Sequence, residues 1–200
     1  MEDSYRTLAE PTGKTLYKEK GSKFFSYAYP VSSEEEITSL LDELKATHRN
    51  ARHWCYAWQL GAEQPSYRVN DDGEPRNSAG MPIYGQIQSF DLTNVLIVVV
   101  RYFGGIKLGI GGLIKAYKTA AQMALEKASI TERTIDIVYE LEFEYALMNT
   151  VMRVIKENNL NITEQEHTLR CKIKLNVRQM EAPKIENIFS EIYGVGLKKI

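Results

Sequence analysis

The sequence predicts an α+β protein in two domains, and three observations carry that reading. Residues 95–103 are a nearly continuous β-branched run, the pattern of a strand buried on both faces. A glycine-rich stretch and an alanine-striped helix follow it. Near Thr131 the pattern changes to polar–apolar alternation, the mark of half-buried strands. A length of 200 residues fits one large domain or two small ones. The boundary is placed at residues 130–133, giving domains 1–130 and 131–200.

The first domain opens with two extended pieces around Gly21, within residues 14–30. Ser33 followed by Glu36 is a capping-box pattern, with Glu34 and Glu35 in the favourable first turn. Ile37, Leu40, Leu41 and Leu44 then mark an amphipathic helix. Residues 54–60 read as a strand, residues 70–75 as a turn and residues 78–88 as a short helix. After the central strand, glycines occupy five of the nine positions 104–112. Leu113, Ala116, Ala120 and Ala124 stripe a helix over residues 112–127, their small side chains suited to close helix–sheet approach.

In the second domain, Ile135, Ile137, Tyr139, Leu141 and Phe143 alternate with polar neighbours. A helix follows over residues 147–156, then a weaker strand over 160–166. Residues 169–177 alternate again, residues 182–193 form a last helix and residues 196–200 a short strand. The order β-α-β-β-α-(β) is ferredoxin-like. In that topology the first and third strands are neighbours, setting Asp136, Glu140, Glu142 and Glu144 beside Arg170, Lys172, Lys174 and Arg178. Paired charges cancel each other's field, and the aromatics that base stacking needs fall on the opposite face.

Composition narrows the function. A net charge of −1 gives no global field toward nucleic acid or lipid, so anion binding needs a local patch. No apolar run approaches the ~20 residues of a membrane span. Residues 1–10 hold three acids and no apolar block, so no secretory signal is read. Two cysteines 116 positions apart exclude a disulfide framework and a Cys-rich zinc site. The expectation is a cytoplasmic protein with no membrane partner, no metal and no cofactor.

The most informative segment is 101–113. Each glycine costs backbone entropy, so the density demands positive φ, close backbone approach or a ligand. Amides at a helix N-terminus suit an anion. Arg101, Lys107, Lys115 and Lys118 add cations, and no acidic residue lies between Asp91 and Glu126. The motif is neither a P-loop nor a dinucleotide fingerprint: no lysine follows these glycines directly, and Ile114 holds the third fingerprint position. Two readings stand, tight strand–helix packing or an anion site formed by Gly104, Gly105, Gly109, Gly111, Gly112 and the cations.

His53 and Cys55 share a strand face and stand with Asp71, Asp72, Gly73 and Glu74 as a second constellation. It could supply a nucleophile, a metal site or acid–base carboxylates. It could equally be a core strand beside a turn whose carboxylates cap backbone amides. Lys45, His48, Arg49, Arg52 and His53 cluster where the first helix ends, either complementing its dipole or forming a basic rim.

Three ordered motifs, residues 51–57, residues 71–83 and residues 101–113 with Ala116-Tyr117, together resemble the YigZ/IMPACT family. Arg76-Asn77-Ser78 departs slightly from the Ser/Gly-Thr usual there. The resemblance implies a ribosomal protein S5 domain 2-like fold for the first domain. It implies a small second domain, as bacterial members carry, resembling domains of elongation factor G. It also marks Ser78 and Tyr102 as motif residues of unknown role. Eukaryotic members act in translational control, competing for the activator of the starvation-responsive kinase of initiation factor 2. A bacterial chain has no such kinase, which leaves a nucleic-acid or ribosome-associated role.

The sequence therefore points to a non-enzymatic RNA- or ribosome-binding protein, with Arg49 or Arg52 at the rim of the glycine segment. One alternative is an enzyme on a phosphorylated or nucleotide ligand using Asp71, Asp72 and Glu74. Another is a protein-binding adaptor with an apolar patch from Tyr56, Trp58, Tyr84 or Tyr102.

Overall fold

The structure, a computed structural model, describes residues 3–200. Met1 and Glu2, the start of the acidic opening stretch and of the predicted first domain, lie outside the described residues. Chain contacts form two compact units, Tyr5–Arg133 and Thr134–Ile200, the second including Asp3 and Ser4.

The first unit contains β1 (Ser4–Leu8), β2 (Thr15–Glu19), β3 (Ser22–Pro30), α1 (Glu34–Thr47), β4 (His53–Leu60), β5 (Ser66–Asn70), α2 (Gly80–Ser89), β6 (Val95–Tyr102), α3 (Gly109–Glu126) and β7 (Ile130–Thr134). α1 starts where Ser33 accepts the Glu36 amide. The Glu36 carboxylate reaches back to the Ser32 amide, one residue beyond the usual capping-box partner.

Five strands form an antiparallel sheet in the order β2-β3-β6-β4-β5. The central β6 is buried on both faces because helices cover both. Leu96, Val98 and Val100 pack with Ile37 and Leu44 of α1. Val95, Ile97 and Val99 pack with Ile83 and Ile87 of α2 and the stripe Leu113, Ala116, Ala120 and Ala124 of α3. The alanines bring α3 so close to the sheet that the Ser26 hydroxyl donates 2.6 Å to the Ala120 carbonyl.

Two features of this unit differ from the sequence expectation. β1, β5 and β7 are strands that local patterning does not reveal. β5 is a largely exposed edge strand paired with β4, and β1 pairs with β7 from the far end of the unit. α3 also begins at Gly109 rather than Gly112, so Gly109, Gly111 and Gly112 lie in its first turn instead of a loop.

The second unit runs β8 (Asp136–Glu144), a 3₁₀ turn (Tyr145–Leu147), α4 (Met148–Glu157), β9 (Asn161–Glu166), β10 (Arg170–Arg178), a second 3₁₀ turn (Gln179–Glu181), α5 (Ala182–Ser190) and β11 (Val195–Lys199). Its antiparallel sheet has the order β11-β8-β10-β9. Tyr139, Leu141, Phe143, Cys171, Ile173 and Leu175 pack with Val151, Ile155, Ile185 and Phe189 of the helices. The register sets Arg170 against Glu144, Lys172 against Glu142, Lys174 against Glu140 and Arg178 against Asp136. Ion pairs cross this face from Arg170 to Glu142 at 3.2 Å and from Lys174 to Glu164 at 2.6 Å.

Candidate functional site

The turn after β5 is a capping device. Asp71 Oδ1 accepts the amides of Ala79 and Gly80 at 3.0 and 2.8 Å, and its Oδ2 accepts that of Asn77 at 2.8 Å. Asp71 thereby holds the start of α2, which has no cap from its own N-cap residue, Ala79. Asp72 adopts a left-handed φ of 40° and Gly73 one of 83°. This turns the Asp72 carboxylate onto the Trp54 amide at 2.6 Å and its carbonyl onto His53 Nδ1 at 2.8 Å. Ser78, fully buried, donates to the Pro75 carbonyl.

Glu74 and Arg101 form an ion pair at 2.5 Å, with side chains 4% and 6% exposed. The same Glu74 oxygen accepts the Tyr117 hydroxyl at 2.8 Å. The Cys55 thiol donates to the Asp71 carbonyl at 3.1 Å and lies 3.3 Å from the Tyr117 oxygen. Burial pushes the pKa values of both Cys55 and Tyr117 upward, so each stays protonated.

These contacts correct several sequence expectations. Asp71 and Asp72 are engaged by backbone amides and Glu74 by Arg101 and Tyr117, so the three carboxylates of the enzyme reading are each held by the fold. Cys55 is a buried thiol, not a nucleophile. Among the described residues no group of three or more His, Cys, Asp or Glu side chains could hold a metal ion. Arg101 is a buried member of an ion pair, not a surface cation, because β6 turns it toward the α3 side of the sheet. Its guanidinium lies over the Phe24 and Phe103 rings, 5.5 and 5.6 Å from their centroids. Its Nε–H is buried without a partner, an omission that typically costs about 1–3 kcal/mol.

The glycine segment divides into two parts. Gly104 serves packing: a Cβ there would stand 1.9 Å from the Gly21 carbonyl carbon, and its amide meets Ser22 Oγ at 3.2 Å. It leaves the anion-binding set. Gly105, Gly109 and Gly111 are exposed, with open space where a Cβ would stand. The N-cap Leu108 has helical φ and ψ and offers no capping side chain. Lys107, Lys115 and Lys118 are exposed, and no ion pair involves them among the described residues.

A cavity of about 310 Å³ lies against this segment, lined by Glu74, Arg101, Phe103, Lys107, Ile110 and Leu113 among others. Lys107 thus joins Glu74 and Arg101, whereas His53 and Asp72 do not line the cavity and bond to each other. The basic cluster after α1 disperses. His48 is buried, its Nε2 2.7 Å from the Tyr27 hydroxyl and its Nδ1 2.9 Å from the Tyr102 hydroxyl. Burial, with Lys14 nearby, holds its pKa below the usual histidine range. Arg49 Nε donates to the Ala46 carbonyl at the end of α1, and Arg52 is exposed. Of the expected apolar patch, Trp58 and Tyr84 are buried and Tyr56 and Tyr102 half-buried.

Tyr117, Phe103 and Ile110 were not foreseen as site residues. Tyr117 had a signal: a tyrosine within an alanine stripe needs a partner for its hydroxyl.

A family model, the Impact N-terminal domain, matches residues 20–125. The IMPACT family member YvyE of Bacillus subtilis (strain 168) is 31% identical over 191 residues, 96% of this chain and 86% of that protein. The IMPACT family member YigZ of Escherichia coli (strain K12) is 37% identical over 128 residues, 63% of each chain. A protein IMPACT homolog of Saccharomyces cerevisiae is 36% identical over 96 residues, 46% of this chain and 36% of that protein. A crystal structure of a hypothetical protein superposes with a TM-score of 0.77 at 25% identity, covering 100% of this chain and 98% of the other.

Proposed function

Because the chain belongs to the IMPACT family, we propose that it is a non-enzymatic binding protein of the translation apparatus. It grips RNA or ribosomal phosphate with the segment that joins β6 to α3. One observation carries this reading: an uncapped helix start flanked by three exposed lysines, without an ion pair among the described residues, in a stretch free of acidic residues. Backbone amides and lysines of this kind contact phosphate without reading base sequence. The implied role of IMPACT relatives in translational control supplies the setting, a cytoplasmic one.

On this reading residues 1–130 form the IMPACT-type domain, S5 domain 2-like, with Lys107, Lys115, Lys118, Gly105, Gly109, Gly111 and Gly112 as contacts and Arg52 at the rim. Residues 131–200 form an accessory domain resembling elongation factor G, and the strand order β11-β8-β10-β9 supports a ferredoxin-like assignment. No helix of the described residues is long and apolar enough to cross a membrane.

The test is binding of single-stranded RNA and of ribosomes across a salt series. Replacing Lys107, Lys115 and Lys118 by alanine should reduce the slope of log affinity against log salt by about 2, at ~0.7 per phosphate contact. Salt-insensitive binding, or an unchanged slope, rejects the reading. A protein partner is the second reading. The exposed Phe103, Ile106, Ile110 and Ile114 favour it, because they stand beside the same lysines. RNA-free capture lost in Ile106→Asp would support it.

A further inference from the structure

We propose that the cavity at the start of α3 binds a small oxyanion carried on an apolar or aromatic body. This ligand site shares Lys107 and Gly109 with the surface that would grip RNA but does not include Lys115 or Lys118. The volume, about 310 Å³, lies at the small end of the range for such sites. Its walls divide by chemistry. Phe103, Ile110 and Leu113 supply apolar surface. Arg101, 5% exposed, supplies a guanidinium over the Phe24 and Phe103 rings.

Among the described residues, one edge of that guanidinium is engaged. Its Nη1 donates to Glu74, while the buried Nε–H has no acceptor. Buried donors are almost always paired, and this one belongs to a cavity-lining side chain. The uncapped first turn of α3, at Gly109 and Ile110, lines the same space. Lys107 stands exposed at the wall. Glu74 is the carboxylate in this lining, and its Oε1 accepts from both Arg101 and Tyr117. An incoming oxyanion therefore meets the first turn of α3 and Lys107 beside the Arg101 side chain, while its body covers Phe103, Ile110 and Leu113. A bare phosphate lacks that second contact.

The experiment is a titration of the isotope-labelled full chain, followed by amide and arginine Nε–H resonances, with phenyl phosphate, benzoate, inorganic phosphate and benzyl alcohol. Phenyl phosphate or benzoate should shift residues 105–113 and Arg101 Nε–H. It should bind about tenfold or more tightly than either inorganic phosphate or benzyl alcohol, a difference of about 1.4 kcal/mol or more. The tighter of the two anions identifies the head group. Ile110→Glu, at an exposed position, should abolish the shifts with the rest of the spectrum unchanged, and Arg101→Lys should weaken them. Inorganic phosphate binding as tightly as both aromatic anions overturns the proposal, as do shifts centred elsewhere or binding unchanged in Ile110→Glu. Lys115→Ala with Lys118→Ala should leave these shifts intact while weakening RNA, so this proposal and the RNA reading fail separately.

Discussion

The β6–α3 segment and the outer face of the second unit's sheet both carry several cations, yet their surroundings differ. On the sheet, Arg170, Lys172, Lys174 and Arg178 each stand opposite a carboxylate of β8, and ion pairs close across the strands. On the segment, Lys107, Lys115 and Lys118 have no carboxylate partner among the described residues, and the helix start beside them adds positive character. Counting lysines and arginines would rank the two surfaces alike. Pairing separates them: one set of charges is neutralised by the fold and the other is available to a ligand.

The Arg101–Glu74 pair gives the largest expected effect, because it underlies the segment. Arg101→Met leaves a buried carboxylate without its cation and should destabilise the protein by about 3–5 kcal/mol in urea unfolding. Adding Glu74→Gln should recover part of that loss. No recovery would mean that the guanidinium acts through packing on Phe24 and Phe103.

Within the segment, Gly104→Ala should cost about 3 kcal/mol or more, since the new methyl meets the backbone of Gly21 and Ser22. Gly111→Ala faces open space in a helix and should stabilise by about 0.5–1 kcal/mol. Equal effects from the two would erase the division between packing and exposed glycines.

The surfaces can be compared directly. Lys115→Ala should weaken RNA binding by about threefold at moderate salt, whereas Lys172→Ala should leave it unchanged. A larger effect from Lys172 would move the interface to the second unit.

His48 sharpens the contrast between apparent and available charge. Its ring nitrogens lie 2.7 and 2.9 Å from the Tyr27 and Tyr102 hydroxyls, and burial disfavours the charged ring. Its folded pKa lies below the unfolded value of 6.5. Its stabilising contribution is therefore complete above pH 6.5 and is lost as pH falls through the depressed value. Urea midpoints should decline on acidification into that window, and His48→Gln should flatten that part of the profile. The smallest effect is the stability cost of Lys172→Ala, about 0.5 kcal/mol or less for an exposed pair 3.9 Å apart.

Much of the fold was legible in the sequence because local patterns suffice for elements that bury a face. The residues 95–100 run, the Ser33 cap, the alanine stripe of α3 and the alternation in β8 and β10 each follow from period and capping chemistry. The β8–β10 charge register followed from topology and alternation together. β1, β5 and β7 escaped, since their pairing partners lie far away in sequence or their faces are exposed. At the site, residue types were legible and roles were not. Asp71 as an α2 cap, Gly104 against Gly21 and Tyr117 on Glu74 are each set by neighbours that no local window contains.

By itself, then, the sequence determined the elements that bury a face, the acid-free basic stretch and the family, because these reside in spacing and composition. Tertiary structure decided which charges remain available. Whether Arg101 meets Glu74, or Asp72 meets the Trp54 amide, depends on strand register and a left-handed turn at Asp72-Gly73. Those place groups within 3 Å across long chain separations, and at that range a hydrogen bond or ion pair turns a potentially reactive residue into a structural one.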